Sequence, residues 1–394
     1  MERSAIVVGA GIGGLAVTRG LARAGWRVRV HERAGQFGAI GAGLAIEPNA
    51  VRAVDWLGLG EGLRAHGMRQ GSAGLRTARG RWLMRTRLAD LQERFGEPAF
   101  VLHRADVHQL LMAGLESYGN VTLHPGHRAV TVTADTDRAT VTFEGPDGLT
   151  TAQADLVVGA DGLRSALRTV AFPGHPQPEY AGYVAWRGIV PAQRTAGISL
   201  ETAVVETWGR GRRVGVVPLP DDRVYWFFCE SAPEGSQQQI RVTDLAHRVR
   251  HWHAPIPQLL AATPESALIR TDVYTQATPL PSYVRGRVVL LGDAAHAMTP
   301  DLGQGAALAL EDAVTLAVHA GPARSDTEVD TGLGRYDQER RPRTQRLVRT
   351  SAKAGRIAQA RSPIAAAARD LVATLVPTAL FLNTSAGTFS WTPP

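Results

Sequence analysis

The N-terminal segment carries the pattern that most limits how this chain can fold. An apolar run from Ser4 to Gly9 leads into Gly9-Ala10-Gly11-Ile12-Gly13-Gly14, a complete G-x-G-x-x-G. A helical stretch, Leu15 to Ala24, and a second apolar strand ending at Glu32 follow. In such a unit the glycines permit a tight turn and close approach of the backbone to a pyrophosphate, and the acid holds a ribose hydroxyl. The pattern predicts a doubly wound α/β domain that binds a dinucleotide through Gly9, Gly11, Gly13, Gly14 and Glu32.

A second motif lies far along the chain. The apolar run Val288 to Leu291 ends in Gly292-Asp293-Ala294-Ala295-His296, and Pro300-Asp301-Leu302-Gly303-Gln304-Gly305 precedes the helical pattern Ala306 to Leu316. This order places a carboxylate beside a helix N-terminus. Asp293 is suited to accept hydrogen bonds from ribityl-type hydroxyls, and free N–H groups at Gly303, Gln304 and Gly305 offer partial positive charge to an oxygen that becomes anionic.

A third motif stands between the other two. The apolar run Ala154 to Ala160 continues into Asp161-Gly162-Leu163-Arg164-Ser165-Ala166-Leu167-Arg168. Asp161 and Gly162 are typical of a turn, and the spacing of Ser165 and Arg168 puts both on one side of the helix that follows. These two side chains either address a phosphate or hold the turn.

In this order and at these distances the three motifs resemble the class A flavoprotein monooxygenases, the single-component FAD-dependent aromatic hydroxylases. The resemblance covers residues 1 to about 350. It is closest to the branch with salicylate-type hydroxylases, urate hydroxylases and zeaxanthin epoxidase, through Gly41 to Ala50, His103 to Asp106 and Thr299 to Gly305. It implies a Rossmann-type FAD-binding domain, an inserted and mainly antiparallel β-sheet substrate domain, and C-terminal helices.

The resemblance also implies roles for individual residues. Glu32 and Arg33 are expected at the adenosine part of FAD, Arg104 at the pyrophosphate or ribityl region, and Asp293 at the ribityl chain. Backbone from Gly303 to Ala306 is expected at the pyrimidine edge of the flavin. The further residues assigned to FAD binding are Ala45, Val130 and Asp161.

The reaction implied by the resemblance uses FAD, O2 and either NADPH or NADH. A flavin hydroperoxide at carbon-4a transfers oxygen to an aromatic or polycyclic phenolic substrate, and we expect the reaction to belong to specialised metabolism. Pro300 is expected to shape the pocket beside the flavin ring, because its fixed φ and missing N–H hold the loop open. The sequence has no second G-x-G-x-x-G, which agrees with transient binding of the nicotinamide.

The distribution of helical patterns and strand-like alternation along the sequence divides the chain into discontinuous domains. We assign residues 1-70, 95-179 and 285-350 to the FAD-binding domain, 180-284 to the substrate sheet and 351-394 to a C-terminal helical segment. Period-2 alternation predicts substrate-domain strands at Gly182 to Val190, Thr202 to Trp208, Arg212 to Pro218 and Arg223 to Glu230.

Substrate contacts are predicted on a hairpin of that sheet. The segments Arg212 to Pro218 and Arg223 to Phe228 are similar to a hairpin of the urate hydroxylases, where an arginine and a tyrosine matching Arg213 and Tyr225 contact the substrate. Arg187 is a comparable candidate. The alternative for Arg213 is an exposed charge at a strand end, and for Tyr225 ordinary alternation in a half-buried strand.

Charge and cysteine content exclude several classes of protein and several kinds of partner. Although the formal net charge is +7, the arginines are scattered, and the cluster from Arg340 to Arg349 is interpreted as a solvated helix face, so we expect no nucleic-acid partner. Cys229 is the single cysteine, which excludes disulfide-reductase flavoproteins and cysteine zinc sites. We expect no metal, a cytoplasmic monomer or homodimer without a signal peptide, and no integral membrane association. The run Leu371 to Leu382 is interpreted as a core-packing helix or hairpin.

Three functional hypotheses follow. The leading one is an NAD(P)H-dependent aromatic hydroxylase. The second keeps the flavin chemistry but carries out epoxidation or urate-type hydroxylation. The third is a non-catalytic flavin-binding protein that sequesters ligands.

Overall fold

A mostly parallel sheet around the N-terminal glycine motif forms the centre of the structure. The computed structural model describes residues 3–38, 42–135, 137–201 and 203–394, so Gly41 and Thr202 of the predicted motif and strand lie outside the described residues. Within these ranges the sheet has six strands, which are numbered along the chain as β1 (Ser4–Val8), β2 (Arg27–Glu32), β8 (Val121–Pro125), β12 (Leu156–Gly159), β18 (Val284–Arg285) and β19 (Val288–Leu290). Across the sheet they are ordered β18, β19, β12, β1, β2, β8.

This sheet confirms the predicted doubly wound α/β class. The strand pairs β1–β2, β1–β12, β2–β8 and β12–β19 are parallel, and β18–β19 is antiparallel. Strands of a parallel sheet that is covered on both faces are apolar throughout, and β1 and β12 are buried almost along their whole lengths. Helices on either side bury the sheet in one large core.

A second, larger sheet contains the strands that the sequence predicts for the substrate domain. Its seven described strands are β5 (Ser72–Thr77), β6 (Trp82–Arg87), β13 (Glu179–Val190), β14 (Ala203–Trp208), β15 (Arg212–Pro218), β16 (Val224–Ser231) and β17 (Ile269–Thr275). Across the sheet they are ordered β17, β13, β16, β15, β14, β5, β6. The predicted strands therefore exist, and the sheet is mainly antiparallel, with β5 beside β14 in parallel. The strands β5 and β6 come from a segment that the sequence interpretation left outside both domains.

Two small sheets complete the β structure of the described residues. One consists of β9 (Arg128–Ala134), β10 (Ala139–Gly145) and β11 (Gly148–Ala154), and the other of β3 (Gly43–Ile46), β4 (Met68–Arg69) and β7 (Phe100–His103). The sheet with β3 lies against the substrate sheet, because a Cβ added at Gly43 would come within 2.5 Å of the Tyr225 ring.

Helices cover the sheets and extend the chain at its C-terminus. They are α1 (Ile12–Arg23), α2 (Pro48–Trp56), α3 (Gly60–His66), α4 (Leu88–Phe95), α5 (Arg104–Met112), α6 (Ala166–Ala171), α7 (Val242–Arg248), α8 (Ile256–Ala262), α9 (Asp293–His296), α10 (Gly305–Ala320), α11 (Asp326–Ala358), α12 (Pro363–Leu375) and α13 (Thr378–Phe389). Among the described helices, none is long and apolar enough to cross a bilayer.

The C-terminal run differs from its interpretation as a core-packing element. It forms the end of α12 and the beginning of α13, and several of its apolar side chains face solvent. Leu371 is 60%, Val372 61% and Leu375 69% exposed. The reason is that α12 packs on β6 through its opposite face, where Ala366 and Arg369 are buried.

Candidate active site

A cavity of about 490 Å³ opens at the carboxyl ends of β1 and β2. Ligands of open α/β sheets bind at this edge. Predicted site residues that the structure brings together along its wall are Gly9, Gly11, Glu32, Arg33, Arg104 and Asp161. Gly13, Gly14, Ala45, Val130, Asp293 and the Gly303–Ala306 segment are not part of this wall. Val130 lies on β9 with its side chain 41% exposed, while its neighbours Arg128 and Ala129 do line the cavity.

Glu32 fixes the glycine turn at the cavity edge. Its carboxylate accepts hydrogen bonds from the Ala10 N–H at 2.8 Å and the Ala34 N–H at 2.9 Å. Gly9 adopts φ +102°, where a side chain would be strained, and its N–H donates to the carbonyl of His31 at 2.8 Å. The acid and the first glycine thus shape one rigid turn around the cavity.

The remaining glycines of the motif divide into two roles. A Cβ added at Gly14 would lie 1.9 Å from the Gly9 carbonyl oxygen, and one at Gly13 would lie 2.7 Å from Leu291 Cδ1. Packing therefore explains these two. At Gly11, the N-cap of α1, a Cβ would meet no protein atom within 4 Å. The open space beside Gly11 belongs to the cavity, so its missing side chain leaves room for a ligand at the helix N-terminus.

Three arginines in the cavity wall are exposed, and none of their guanidinium groups makes a hydrogen bond or ion pair with another residue in the described part of the chain: Arg33, Arg104 and Arg164. Arg164 lies over the Tyr274 ring, which leaves Arg33 and Arg104 free. Guanidinium groups placed in this way are suited to bind phosphate oxygens. Both side chains thus provide charge for an anionic ligand.

A histidine stack that the sequence interpretation missed also borders the cavity. The buried ring of His31 lies between His124 and Phe143, with centroid separations of 4.6 and 3.9 Å. Neither ring nitrogen of His31 has a hydrogen-bond partner. Burial, together with nearby His124, His127 and Arg29, lowers the pKa of His31 to about 3. No short motif marks this cluster in the sequence, because its members come from three separate segments.

The third motif holds its own turn. The Asp161 carboxylate accepts hydrogen bonds from Ser165 Oγ at 2.6 Å and from the Ala166 N–H at 2.8 Å. Arg168 is 1% exposed and donates to the carbonyls of Leu163 and Ala294. Of the two roles considered for Ser165 and Arg168, the structure shows the structural one.

The second motif presents one free carboxylate. Asp293 is the exposed first residue of α9, its neighbours in the chain are buried, and its carboxylate makes no hydrogen bond within the described residues. The loop is fixed from beneath by Asp312, which accepts from the Gly292 N–H at 2.9 Å and pairs with His296 at 2.5 Å. Asp293 is therefore available to a ligand.

The same network corrects the interpretation of the arginine cluster on α11 as a solvated face for two of its members, whereas Arg346 and Arg349 are exposed as predicted. Arg340 is 1% exposed and forms ion pairs of 2.7 Å with Asp312 and Glu311. Arg343 also pairs with Glu311. The carboxylates on α10 need these cations because an unpaired buried charge is costly.

The loop before α10 combines backbone N–H groups with a buried amide. Gly303 is exposed with φ +68°, but its N–H donates to the carbonyl of Pro300 at 3.0 Å, so it is not one of the free N–H groups that the sequence predicts. Gly305 and Ala306 begin the helix in half-buried positions. Gln304 is fully buried and connects Asn49 with Glu47 through its side-chain amide. Burial raises the pKa of Glu47, another residue missed in the sequence, to about 8. Pro300 is exposed at the first position of the turn Pro300–Leu302.

The substrate sheet has two chemically different faces. One face, with Trp186, Trp226 and Phe228, packs under α7 and α8. The strand register puts Arg187, Arg213 and Tyr225 together on the opposite face. Arg213 stands opposite Cys229, whereas Tyr225 stands opposite Val217. These positions are four residues apart along the strand, about 13 Å, so the two side chains share a face without being neighbours.

Arg213 is neither exposed nor free. It is 2% exposed and forms ion pairs with Glu206, at 3.1 Å, and with Asp301 of the second motif. Tyr183 donates a hydrogen bond of 2.9 Å to the same Asp301 carboxylate. These contacts join the substrate sheet to the glycine loop before α10. Asp301 belongs to the second motif and Tyr183 to a predicted strand, but no sequence signal marks either residue for this role.

Arg187 is the unpaired cation of this face. It is half-buried, and its guanidinium makes no hydrogen bond or ion pair within the described residues. Its cross-strand neighbours are Phe227 and Ile269. Tyr225 is 7% exposed, and burial raises the pKa of its phenol to about 12. The face therefore offers one free positive charge, a neutral phenol and aromatic surface.

Comparisons with known proteins agree with this arrangement. The model of the family described as FAD binding domain matches residues 2–351. The chain belongs to this family and is a class A flavoprotein monooxygenase, an FAD-dependent enzyme.

In the part of the chain that the structure describes, no group of histidine, cysteine or acidic residues is placed to hold a metal ion.

Individual relatives resemble the chain over most of its length. The aurachin C monooxygenase/isomerase of Stigmatella aurantiaca is 36% identical, over 90% of this chain and 89% of the relative. The 3-amino-4-hydroxybenzoate 2-monooxygenase of Streptomyces cremeus is 37% identical, with coverage of 86% and 83%. The crystal structure of Klebsiella pneumoniae HpxO complexed with FAD and uric acid has a TM-score of 0.86 and 30% identity, and covers 98% of this chain and 96% of that one.

Proposed function

We propose that this enzyme uses NAD(P)H and O2 to hydroxylate a phenolic or polycyclic aromatic compound that carries an anionic or carbonyl group. One oxygen atom of O2 enters the substrate, the other leaves as water, and NAD(P)H supplies the two electrons. The observation that carries the proposal is the unpaired Arg187 guanidinium beside aromatic side chains, on a sheet face whose other arginine, Arg213, is neutralised by acids.

The residues around the cavity fit FAD. Gly11 and the α1 N-terminus leave room for the pyrophosphate, Arg33 and Arg104 offer charge, and the Asp293 carboxylate is free for ribityl hydroxyls. Backbone N–H groups at the start of α10 would stabilise negative charge on the flavin. When bound and reduced, the flavin supplies the activation of O2.

The substrate face would orient an aromatic ring. Arg187 would bind the anionic or carbonyl group, while Phe227 packs beside it. With a pKa of about 12, Tyr225 keeps its proton at neutral pH and serves as a hydrogen-bond donor. The described strands of this sheet contain no histidine, so a histidine base on them plays no part in the proposal.

A substrate-dependent screen tests the proposal. Purified holoenzyme is mixed with NADH or NADPH in air and with phenols that carry or lack a ring carboxylate or carbonyl. Nicotinamide oxidation and product mass are followed. We expect faster oxidation and a product with one added oxygen atom for the carboxylated or carbonyl-bearing members. FAD binding without ligand-stimulated turnover would support the ligand-sequestering alternative, and an epoxide product would support the second hypothesis.

Substitution of Arg187 gives a sharper prediction. Arg187→Gln removes the free cation, and the loss of a charge-assisted hydrogen bond costs about 1.5–3 kcal/mol, so KM for the anionic substrate should rise at least tenfold. KM for the substrate without the charged group should change little. Arg194→Gln, an exposed arginine beyond the end of β13, is the matched control. An equal loss for charged and uncharged substrates would contradict the role of Arg187.

A further inference from the structure

The net charge of the chain is concentrated at its C-terminus. The last 54 residues contain seven arginines and Lys353 but a single acid, Asp370, which gives a net charge of +7. This equals the net charge of the whole sequence, so the preceding 340 residues are neutral overall. The positive charge is therefore a property of one segment and not of the entire surface.

Most of these cations have no acidic partner. Arg341, Arg343 and Arg369 pair with Asp337, Glu311 and Asp370. The five cations that form no ion pair with any described residue are all exposed: Arg346, Arg349, Lys353, Arg356 and Arg361. Four of them recur along α11 at intervals of three or four residues, which places them on one side of the helix.

Exposed apolar side chains follow directly in the chain. Ile357 is 48% exposed, and on α12 Ile364 is 83%, Leu371 60% and Leu375 69% exposed. The α12 residues recur at i, i+7 and i+11, so they form one outward stripe opposite the buried face of the helix. We call this stripe, together with the five unpaired cations, the C-terminal basic face.

We propose that the C-terminal basic face docks this enzyme on a membrane surface that contains anionic lipids. Exposed aliphatic side chains would enter the headgroup region, and arginine and lysine would contact lipid phosphates. The charge argues against a second copy, because two identical faces that each carry five unpaired cations would repel each other. The aliphatic stripe argues against nucleic acid, which favours aromatic stacking beside its cations.

Vesicle co-sedimentation of the FAD-bound enzyme tests this proposal, which does not depend on the substrate. Vesicles of phosphatidylcholine alone are compared with vesicles of phosphatidylcholine and phosphatidylglycerol in about equal amounts. We expect binding to the anionic vesicles only, with loss in high salt. Binding to neither, or equally to both, would overturn the proposal.

Variants locate the contact. Leu371→Glu with Leu375→Glu, and separately Arg349→Glu with Arg356→Glu, should each weaken binding at least tenfold. The matched controls are Leu149→Glu, at a residue 71% exposed on β11, and Arg138→Glu, on the preceding hairpin. None of the six substituted residues lines the cavity, so the flavin spectrum should be unchanged in every variant.

Two outcomes would show a different occupant. If analytical ultracentrifugation detects a dimer that the Leu371 and Leu375 substitutions convert to monomer, the face binds a second copy. If a fluorescent DNA duplex competes with vesicles and binds more tightly, the cations serve nucleic acid. Either result, or equal weakening by the control variants, would overturn membrane docking.

Discussion

At the scale of single residues, side chains of one type occupy opposite environments in this enzyme. Arg213 and Arg340 are buried and paired with acids, whereas Arg187 is half-buried without a partner. A buried guanidinium that is neutralised by Asp301 and Glu206 has little charge left for a ligand, so the free one is the better substrate contact. Sequence similarity favoured Arg213, and the pairing of its guanidinium moves the emphasis to Arg187.

His31 gives a residue-scale prediction about pH. The folded protein holds this imidazole neutral, with a pKa near 3, while the unfolded chain titrates near 6.5. Between these values the unfolded state binds more protons, so stability is complete above pH 6.5 and falls as the pH decreases, by up to about 1.4 kcal/mol per pH unit. His31→Phe should preserve the stack on Phe143 and reduce this acid sensitivity.

The measurement is the thermal midpoint at pH 7.5 and pH 5 for wild type and variant. His66→Phe, at an exposed position on α3, controls for the change of residue type. Burial also lowers the pKa of His124, which remains beside the site in both proteins, so part of the acid sensitivity should persist. An identical decrease for wild type and His31→Phe would show that the stack does not titrate.

At the scale of elements, the turn between β1 and α1 separates folding from binding within one motif. Gly14 is required because α1 approaches the backbone of Gly9, and Gly13 because α1 packs on Leu291 and α10. Gly11 has no neighbour that a methyl group would meet. One six-residue motif thus contains two packing contacts and one position whose only demand is space in the cavity.

Alanine substitutions should separate these roles. Gly11→Ala adds a methyl group at φ −73°, which alanine adopts without strain, so the apoprotein should keep its thermal midpoint and lose at least tenfold in FAD affinity. Gly14→Ala should destabilise the apoprotein itself, by roughly 1–3 kcal/mol, because its Cβ overlaps a backbone carbonyl. Calorimetry of apoprotein and fluorescence titration with FAD distinguish the two; unchanged FAD affinity in Gly11→Ala would place the pyrophosphate elsewhere.

At the scale of the whole molecule, one carboxylate joins the seven-stranded sheet to the loop before α10. Asp301 lies in the loop before α10 and binds Arg213 on β15 and Tyr183 on β13. Burial, reinforced by Asp301, raises the pKa of the Tyr183 phenol, so this tyrosine remains a donor. The connection fixes this face of the seven-stranded sheet relative to the glycine loop.

Asp301→Asn tests this connection. It leaves a buried guanidinium with Glu206 as its remaining carboxylate, so the free energy of unfolding should fall by roughly 3 kcal/mol. Glu144→Gln, in an ion pair whose partners are 54% and 61% exposed, should cost less than about 1 kcal/mol. Urea unfolding followed by circular dichroism compares the two variants. Equal effects would mean that the Asp301 contacts contribute no more than a surface pair.

The sequence by itself determined the glycine turn of the parallel sheet and four of the seven described strands of the second large sheet. Turn glycines, the acid at Glu32 and apolar alternation act through neighbours that are close in the chain, so local spacing is sufficient to predict them. Only the tertiary structure decided which charges are free. Arg213 meets Asp301 across 88 residues, and Arg340 meets Asp312 across 28. A guanidinium is neutralised by whatever acid folding brings within about 4 Å, and no local pattern records that distance.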